Sequence, residues 1–296
     1  MPRAARIDAV VVNHNAGSLL ADAVMSLLDS AAIGQICLVD NASTDHSLEA
    51  LEQAVAPTSR LTLLRNSSNT GFAAACNLGS RHTDSPWLLF MNPDCILAPG
   101  TVERLQAALE AHPEAGMAGG LLLNPDGSEQ PGGRRMIPTP WRSFIRTVGL
   151  SRLANRWPRL FADFNLHRQP LPDGTQEVEA ISGAIMLVRR AALEQVGPWD
   201  EGYFLHCEDL DLCWRFRQTG WPILFVPDAP VTHFQGTCSR QRPYFVEWHK
   251  HRGMIRFYRK FFRAQYPRPL MGLVMLGVWL RFALVASRIT LRRWVG

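Results

Sequence analysis

Three carboxylates, Glu208, Asp209 and Asp211, fall within four residues of the stretch FLHCEDLDLCWR, between a cysteine and two leucines. Acids set among Phe, Leu, Cys and Trp are costly to desolvate unless they have partners or a task. A calcium loop started at Asp209 would put Trp214 at its sixth position and Gly220 at its twelfth, so that reading fails. His206, Cys207 and Cys213 lack the paired short spacing of a zinc site. As a helix start the stretch makes sense of Asp211, which can pair with Arg215 one turn on while all three charges favour the helix N-terminus. Glu208 and Asp209 are left adjacent at the helix mouth, after a GPWDEGYF segment expected to be flexible. Neighbouring carboxylates raise one another's proton affinity, which suits a general base for a hydroxyl proton.

Two further clusters follow strands. In LVDNASTD, Thr44 and Asp45 read as helix caps. Asp40 ends the strand itself, where a carboxylate reaches the ligand crevice of an open sheet and can accept from a base N–H or a ribose hydroxyl. In MNPDC, Asn92 and Asp94 follow a strand directly, and Asp94 can offer a hard oxygen to Mg2+ or Mn2+ bridging a diphosphate. A second Asn-Pro-Asp, at 124–126, is followed by Gly127, and there a turn suffices. No glycine cradle of the dinucleotide or P-loop kind follows the first strand; Asn13-His14-Asn15 stands there instead.

The elements that must position these groups alternate. IDAVVVN, QICLVD, RLTLLRN and PWLLFMN read as strands. SLLADAVMSLLDS, STDHSLEALEQA, GFAAACNLGSRH and PGTVERLQAALEAH read as helices between and after them. This is an α/β pattern, a mostly parallel sheet covered on both faces, with the polar clusters at the strand carboxyl ends. Beyond it, MAGGLLL is a strand, and an Asp-Gly turn and a glycine-rich loop follow. Residues from about 137 to 174 are expected to be irregular. VEAISGAIMLVRR reads as one strand containing Gly183, and PILFVPDAPVTHF as a late strand ending at His233.

The 296 residues are 47% hydrophobic and 19% charged, a globular composition. Charge is uneven: from Phe234 onward thirteen Lys/Arg face one acid, a net of +12, which leaves −7 for the preceding residues of a chain totalling +5. Such a basic tail suits an anionic surface, and no nucleic-acid recognition motif accompanies it. In it Trp248, Ile255 and Phe262 share one helical face, and Arg252, Arg256, Arg259 and Arg263 form a stripe on another. The apolar run Leu270–Leu280 is eleven residues long before Arg281, short of the about 20 a spanning helix needs. An amphipathic pair lying on an anionic membrane is the expectation, with packing on the domain as the alternative. Six cysteines without a C-x-x-C pair, and an apolar run near the N-terminus that Asp8 breaks, suggest a cytoplasmic body.

Taken in order, VVVNHN, LVDNASTD, NTGFAAACNLG, FMNPD, ISGAIMLVRR, GPWDEGYFLHCEDLDLCWR and VTH resemble inverting family-two glycosyltransferases of the GT-A fold, in their bacterial rhamnosyltransferase-like branch. The resemblance implies a catalytic domain over 1–240, with a nucleotide-sugar half to about 120 and an acceptor half beyond it, and a helical tail over 241–296. It implies that Asp40 binds the nucleotide with Asn13, Asn15 and Asn41 nearby, and that Asn69, Gly71, Asn77 and Asn92 line the nucleotide-sugar side. Gly183, Trp199 and Asp200 fall on the acceptor side. Asp94 holds the last position of the metal motif, whose first Asp is here Asn92. His233 would complete the site for Mn2+ or Mg2+. Asp209 would be the base and Glu208 its neighbour. The implied reaction moves a sugar, rhamnose before UDP-hexoses, from a nucleotide-diphosphate donor to a glycan or lipid-linked glycan acceptor at the inner membrane face.

Overall fold

In the computed structural model, residues 6–147, 150, 156–157, 164, 166–236 and 242–295 are described. The chain begins with β1 (Ile7–Asn13), α1 (Leu19–Leu28), β2 (Ile33–Asp40), α2 (Ser47–Ala54), β3 (Leu61–Arg65), α3 (Phe72–Ser80), β4 (Trp87–Met91), β5 (Cys95–Leu97) and α4 (Thr101–Ala111). After it come β6 (Met117–Leu123), β7 (Arg134–Arg135), α5 (Pro140–Thr147), β8 (Gln176–Val178), β9 (Ala180–Ile181), β10 (Ile185–Arg189), α6 (Arg190–Val196), α7 (Glu208–Gln218) and β11 (Ile223–His233). Two helices close the chain, α8 (Pro243–Phe261) and α9 (Arg268–Val295).

The main sheet has the order β3-β2-β1-β4-β10-β6-β11-β5, with β8 also on β11. The strands β3, β2, β1 and β4 are parallel neighbours, as are β6 and β11. β10 runs antiparallel between β4 and β6 and joins the two halves. Every residue of β1 and β4 is buried, as central strands covered on both faces require. Alternate residues feed separate cores. Val10, Val12, Val39 and Phe90 pack with α3, α7 and α8, whereas Ala9, Val11, Leu38 and Leu89 pack with α1 and α4.

Four features differ from the sequence reading. The stretch expected to be one strand is broken into β9 and β10 at Ser182-Gly183-Ala184. Part of the segment expected to be irregular forms α5, and much of its remainder lies outside the described residues. The 198–205 loop is stitched down: Asn77 donates to Trp199 O at 2.9 Å and accepts from Trp199 N at 3.0 Å, and Phe72 N donates to Phe204 O at 3.0 Å.

The tail is the fourth difference. α8 is part of the core, with Phe257, Tyr258 and Phe262 each at most 2% exposed and Ile255 at 6%, so Ile255 and Phe262 do not form a membrane face. α9 returns antiparallel along α8, touching it from Arg259–Met275 at 3.2 Å to Tyr244–Thr290 at 2.9 Å. Trp248 packs tilted on Trp279 and edge-on to Phe282, and Arg281 faces His251 at 3.2 Å. Arg268–Arg292 is long and apolar enough to cross a membrane, longer than the eleven-residue run suggested. Its outer side exposes Leu273, Leu276, Leu280, Leu284 and Leu291.

Deleting a fully buried aromatic ring from a core costs about 3–5 kcal/mol. Urea unfolding of Phe257→Ala should show a loss of that order, against about 0.5 kcal/mol or less for the exposed Leu276→Ser. Equal small losses would mean that α8 does not belong to the core.

Candidate active site

The register of β1 on β2 sets Asn13 directly beside Asp40 at the carboxyl ends of the strands. Asn13 Nδ2 lies 2.9 Å from Asp40 Oδ1, from Ser43 Oγ and from Ser47 Oγ, while Ser43 N donates to Asp40 Oδ2 at 3.2 Å. Asn15, in the left-handed region at φ 58°, accepts from Thr44 N at 2.7 Å and Asp45 N at 3.2 Å. Asp45 in turn accepts from Ser47 N and Gly17 N at the foot of α2. Asn41 donates to Asn69 Oδ1 at 2.9 Å and to Gly71 O at 3.2 Å, and accepts from Asn66 and Thr70. Gly71 has φ 87°, and a Cβ there would meet Phe204 O at 2.7 Å, so only glycine lets α3 start against that loop.

Structure thus brings Asn13, Asn15, Asp40, Asn41, Asn69 and Gly71 into one polar rim. Asn77 stands apart from it: its amide is spent on Trp199 and on Glu201 Oε1 at 2.8 Å. Trp199 is a core residue, 2% exposed, with Phe72 and Phe90 edge-on to it. Asp200 is bound by Arg256 at 2.8 Å and Lys260 at 2.6 Å of α8. Partial burial pushes its carboxyl up, but the hydrogen bonds from Lys260 and Arg256 outweigh this and hold it at about 2.

Asp94 and His233 meet because β5 pairs with the end of β11, Cys95 opposite His233. His233 Nδ1 is 2.6 Å from Gln130 Oε1. Gln130 Nε2 donates to Asn124 Oδ1 and to His233 O, so its oxygen must face the ring and Nδ1 carries the hydrogen. Nε2 then carries a lone pair, with Asn92 Nδ2 donating from 3.5 Å, and lies 3.2 Å from Asp94 Oδ1, a buried oxygen with no hydrogen-bond donor. Two lone pairs facing each other call for a proton or a cation between them, and a fixed second ring nitrogen is the usual support of a histidine ligand. Cys95 completes the cluster of donor atoms. Burial, then the charge of Asp94, push its thiol up, and it donates to Ala184 O at 3.5 Å. A neutral thiol is a poor ligand for a hard cation, so the residues that fit Mn2+ or Mg2+ are Asp94 and His233. In the second Asn-Pro-Asp, Asp126 is exposed and accepts from Ser128 N and Oγ at 3.0 and 2.6 Å, a turn as its sequence implies.

The helix α7 opens on the two remaining acids. Asp209 Oδ2 accepts from Gly183 N at 3.2 Å and is ion-paired with Arg135, and its Oδ1 accepts from Leu210 N at 2.7 Å. Gly183 has room for nothing larger without movement, since a Cβ would sit 3.2 Å from Asp209 Cβ. One residue on, Ala184 O accepts from Asn92 N at 2.9 Å, so the strand break ties the base candidate to the cation candidate. Glu208 turns inward: it is 7% exposed and its Oε2 has no partner. Burial first, and then the charge of Asp209, push its carboxyl up to about 8. Raised proton affinity is thus seen at Glu208, with burial as its larger cause and the neighbouring Asp209 as its second. Asp211, fully buried, pairs with Arg215 at 2.6 Å as anticipated and also with Lys260 at 2.7 Å. Sequence reasoning missed Arg135 and Gln130, both inside a segment read as turn and glycine-rich loop.

The fold and crevice are those of a GT-A glycosyltransferase. The chain belongs to glycosyl transferase family 2, which matches residues 8–197. It is 34% identical over 219 residues to the N-acetylglucosaminyl-diphospho-decaprenol L-rhamnosyltransferase of Mycobacterium tuberculosis, across 70% of this chain and 69% of the relative. Among solved structures, mannosyltransferase PcManGT of Pyrobaculum calidifontis, in complex with GDP-Man and Mn2+, matches with TM-score 0.60 at 16% identity over 95% of this chain and 70% of its own. GalNAc-T7 with UDP, GalNAc and Mn2+ matches with TM-score 0.59 at 18% identity over 79% of this chain. The chain spans 44% of the length of GalNAc-T7.

The Glu208 shift has a consequence for stability. The folded state keeps this proton up to about 8, whereas an ordinary glutamate releases it near 4.5, so between those values unfolding releases a proton and rising pH favours the unfolded chain. Glu208→Gln should therefore gain thermal stability over the wild type progressively from about pH 5 to pH 8. A difference in Tm that is flat with pH would show Glu208 to be ionised in the fold.

Proposed function

We propose that this protein is an inverting rhamnosyltransferase that moves rhamnose from dTDP-rhamnose to a hydroxyl of a lipid-linked glycan, in cell-surface polysaccharide synthesis at the cytoplasmic face of the membrane. The observation that carries the reading is the joint at Gly183-Ala184, one residue reaching Asp209 and the next reaching Asn92 beside Asp94. A base and an anion-neutralising site on opposite sides of one backbone break suit a single displacement. Asp209 takes the acceptor hydroxyl proton as that oxygen forms its bond to the anomeric carbon, while the bond to the diphosphate breaks and the nucleoside diphosphate departs. Asp94 and His233 would hold Mn2+ or Mg2+, which would supply positive charge toward the departing diphosphate. Asn13, Asn15, Asp40, Asn41, Asn69 and Gly71 form the rim on which the nucleotide-sugar lies. The identity to the mycobacterial relative, whose name specifies L-rhamnose and N-acetylglucosaminyl-diphospho-decaprenol, supports rhamnose as the transferred sugar and a lipid-linked glycan as the class of acceptor.

Thermal stabilisation by a panel of nucleotide-sugars with Mn2+ tests the donor, because at equal concentration the tighter ligand raises stability more, by RT ln(1 + [L]/Kd). dTDP-rhamnose should give the largest shift; a larger one from a UDP-hexose would reassign the donor. Asp209→Asn should keep the shift and lose transfer by about 10²–10⁴-fold, the usual contribution of a general base. Asp94→Ala should lose the Mn2+-dependent part of the shift, and Asp126→Ala should keep it. A wild type that binds donor but neither hydrolyses nor transfers it would be a non-catalytic nucleotide-sugar-binding protein.

The membrane part of the proposal rests on α9, whose exposed leucines continue past Arg281. Removing residues from Arg268 onward, which leaves most of the buried α8 contacts intact, should yield a folded protein that no longer sediments with anionic vesicles. The intact chain should sediment and be released in part by high salt, since charge attraction is screened and apolar contact is not. Equal sedimentation of both forms would remove α9 from this role.

A further inference from the structure

We propose that α5 is a second lipid contact: Trp141 and Phe144 insert into the interfacial zone of an anionic bilayer beside α9. The inference rests on the membrane part of the reading above and adds to it a surface near Asp209. α5 is short, Pro140–Thr147, yet it is firmly held. Ile145 is fully buried, and Arg142 grips both oxygens of Glu179 at 2.6 and 3.0 Å. Glu179 Oε2 also accepts from Ile137 N at 2.7 Å, which fixes the approach to the helix. On this anchored turn Trp141 and Phe144 are 46% and 51% exposed, their rings stacked with centroids 5.8 Å apart. Single apolar side chains on a surface need no explanation, but two large rings side by side on a fixed helix keep contiguous apolar area in water.

The position of α5 decides what covers the rings. Tyr258 of α8 donates to Ser143 Oγ at 2.6 Å, and the next residue, Arg259, touches Met275 of α9 at 3.2 Å. His251, which faces Arg281 of α9, lies about two helical turns before Tyr258 and so on nearly the same face of α8. α5 and the start of α9 therefore rest side by side against one face of α8. Leu273 and Leu276, exposed on the outer side of α9, flank Met275 in sequence.

Composition agrees with a lipid surface. Residues 140–168 hold six arginines against one acid, Asp163, together with Trp141, Phe144, Trp157, Phe161 and Phe164. Trp157, also exposed, has the Arg156 guanidinium 5.2 Å from its ring centre. Rings and cations together suit the headgroup level, where a ring buries its body and the charge meets anionic lipid. Pro140 follows Arg135, the partner of Asp209, by five residues, so lipid contact at α5 would hold this side of the crevice against the membrane surface. Two rings make a weak anchor alone, and stable attachment takes a second signal, so α9 stays indispensable while α5 strengthens and orients it.

The test measures binding of the full-length chain to equimolar phosphatidylcholine–phosphatidylglycerol vesicles. It compares wild type, a Trp141→Ser/Phe144→Ser double variant and a Trp141→Phe/Phe144→Trp exchange. The double variant should bind about tenfold more weakly and keep that deficit in high salt, because ring burial is not screened. The exchange, which keeps two rings, should bind within about twofold of wild type. All three should share one Tm without lipid, since exposed positions contribute little to stability. Equal binding of wild type and double variant would overturn the inference and leave the α9 reading standing, whereas a wild type that ignores the vesicles would overturn both. A double variant that binds vesicles normally but has a raised KM only for long-chain lipid acceptors would give the rings to the acceptor's chain. One that is monomeric where the lipid-free wild type is dimeric would give them to a second copy. Either result overturns the bilayer assignment.

Discussion

Everything in the site depends on three residues where a strand fails to continue. At Ser182-Gly183-Ala184 the chain leaves the two-stranded β7–β9 ribbon and enters β10 in the main sheet. Backbone groups released by that break do not go unpaired, which would be costly in a buried place. Gly183 N turns to Asp209 and Ala184 O receives Asn92 N. Two groups one residue apart thereby hold a carboxylate from one half of the sheet and an Asn-Pro-Asp turn from the other. A side chain at 183 would press on Asp209 Cβ at 3.2 Å, so the absence of one lets α7 approach. Consecutive Cα atoms cannot be more than about 3.8 Å apart, so this joint is stiffer than any pair of side chains could make it.

The helix α7 is held from its other side by charge. Asp211 is wholly buried and would be prohibitively unstable alone, yet each of its oxygens has a cation, Arg215 at 2.6 Å and Lys260 at 2.7 Å. Lys260 also reaches Asp200 at 2.6 Å, with Arg256 beside it. Cations of α8 thus tie together the loop before α7 and the first turn of α7. Removing either partner leaves a buried charge uncompensated, which links the integrity of α8 to the orientation of Asp209 two residues from Asp211. The basic tail is in this sense a structural part of the site, and Asp200 serves it by anchoring α8.

What the sequence made legible, and what it hid, follow from the range of each signal. β1, β2 and β4 with their helices were readable because burial on both faces leaves long apolar runs, the edge strand β3 by its short alternating LTLLR, and the polar clusters Asn13, Asp40 and Asp94 stand out beyond the central strands. Asp211–Arg215 was readable because one helical turn is a local distance. The break at Gly183 was not, since ISGAIMLVRR keeps its apolar residues on both sides of it and a single glycine is compatible with a continuous strand. Arg135 and Gln130 were hidden because their partners, Asp209 and His233, lie far along the chain. Their one local clue is polar residues in a loop otherwise built of glycine and proline. The tail misled through its sum: thirteen cations suggested one basic surface, whereas Arg256 and Lys260 are taken up by Asp200 and Asp211.

The same separation of inner and outer faces bears on how α9 would meet a membrane. By length and composition it could cross one. Yet its contacts with α8 extend from Met275 to Thr290, and α8 carries Phe257 and Tyr258 into the core. A crossing helix would have to give up Trp248–Trp279, His251–Arg281 and Tyr244–Thr290, or draw α8 and the body behind it into lipid. Neither is required if α9 lies in the interface, with the α8 contacts on its inner side and Leu273, Leu276, Leu280 and Leu284 turned outward. Arg281 is then at the seam between the helices, partnered by His251, where a charge is tolerable. In that orientation α8 would lie between lipid and α7, a spacing of one helix diameter, about 10 Å.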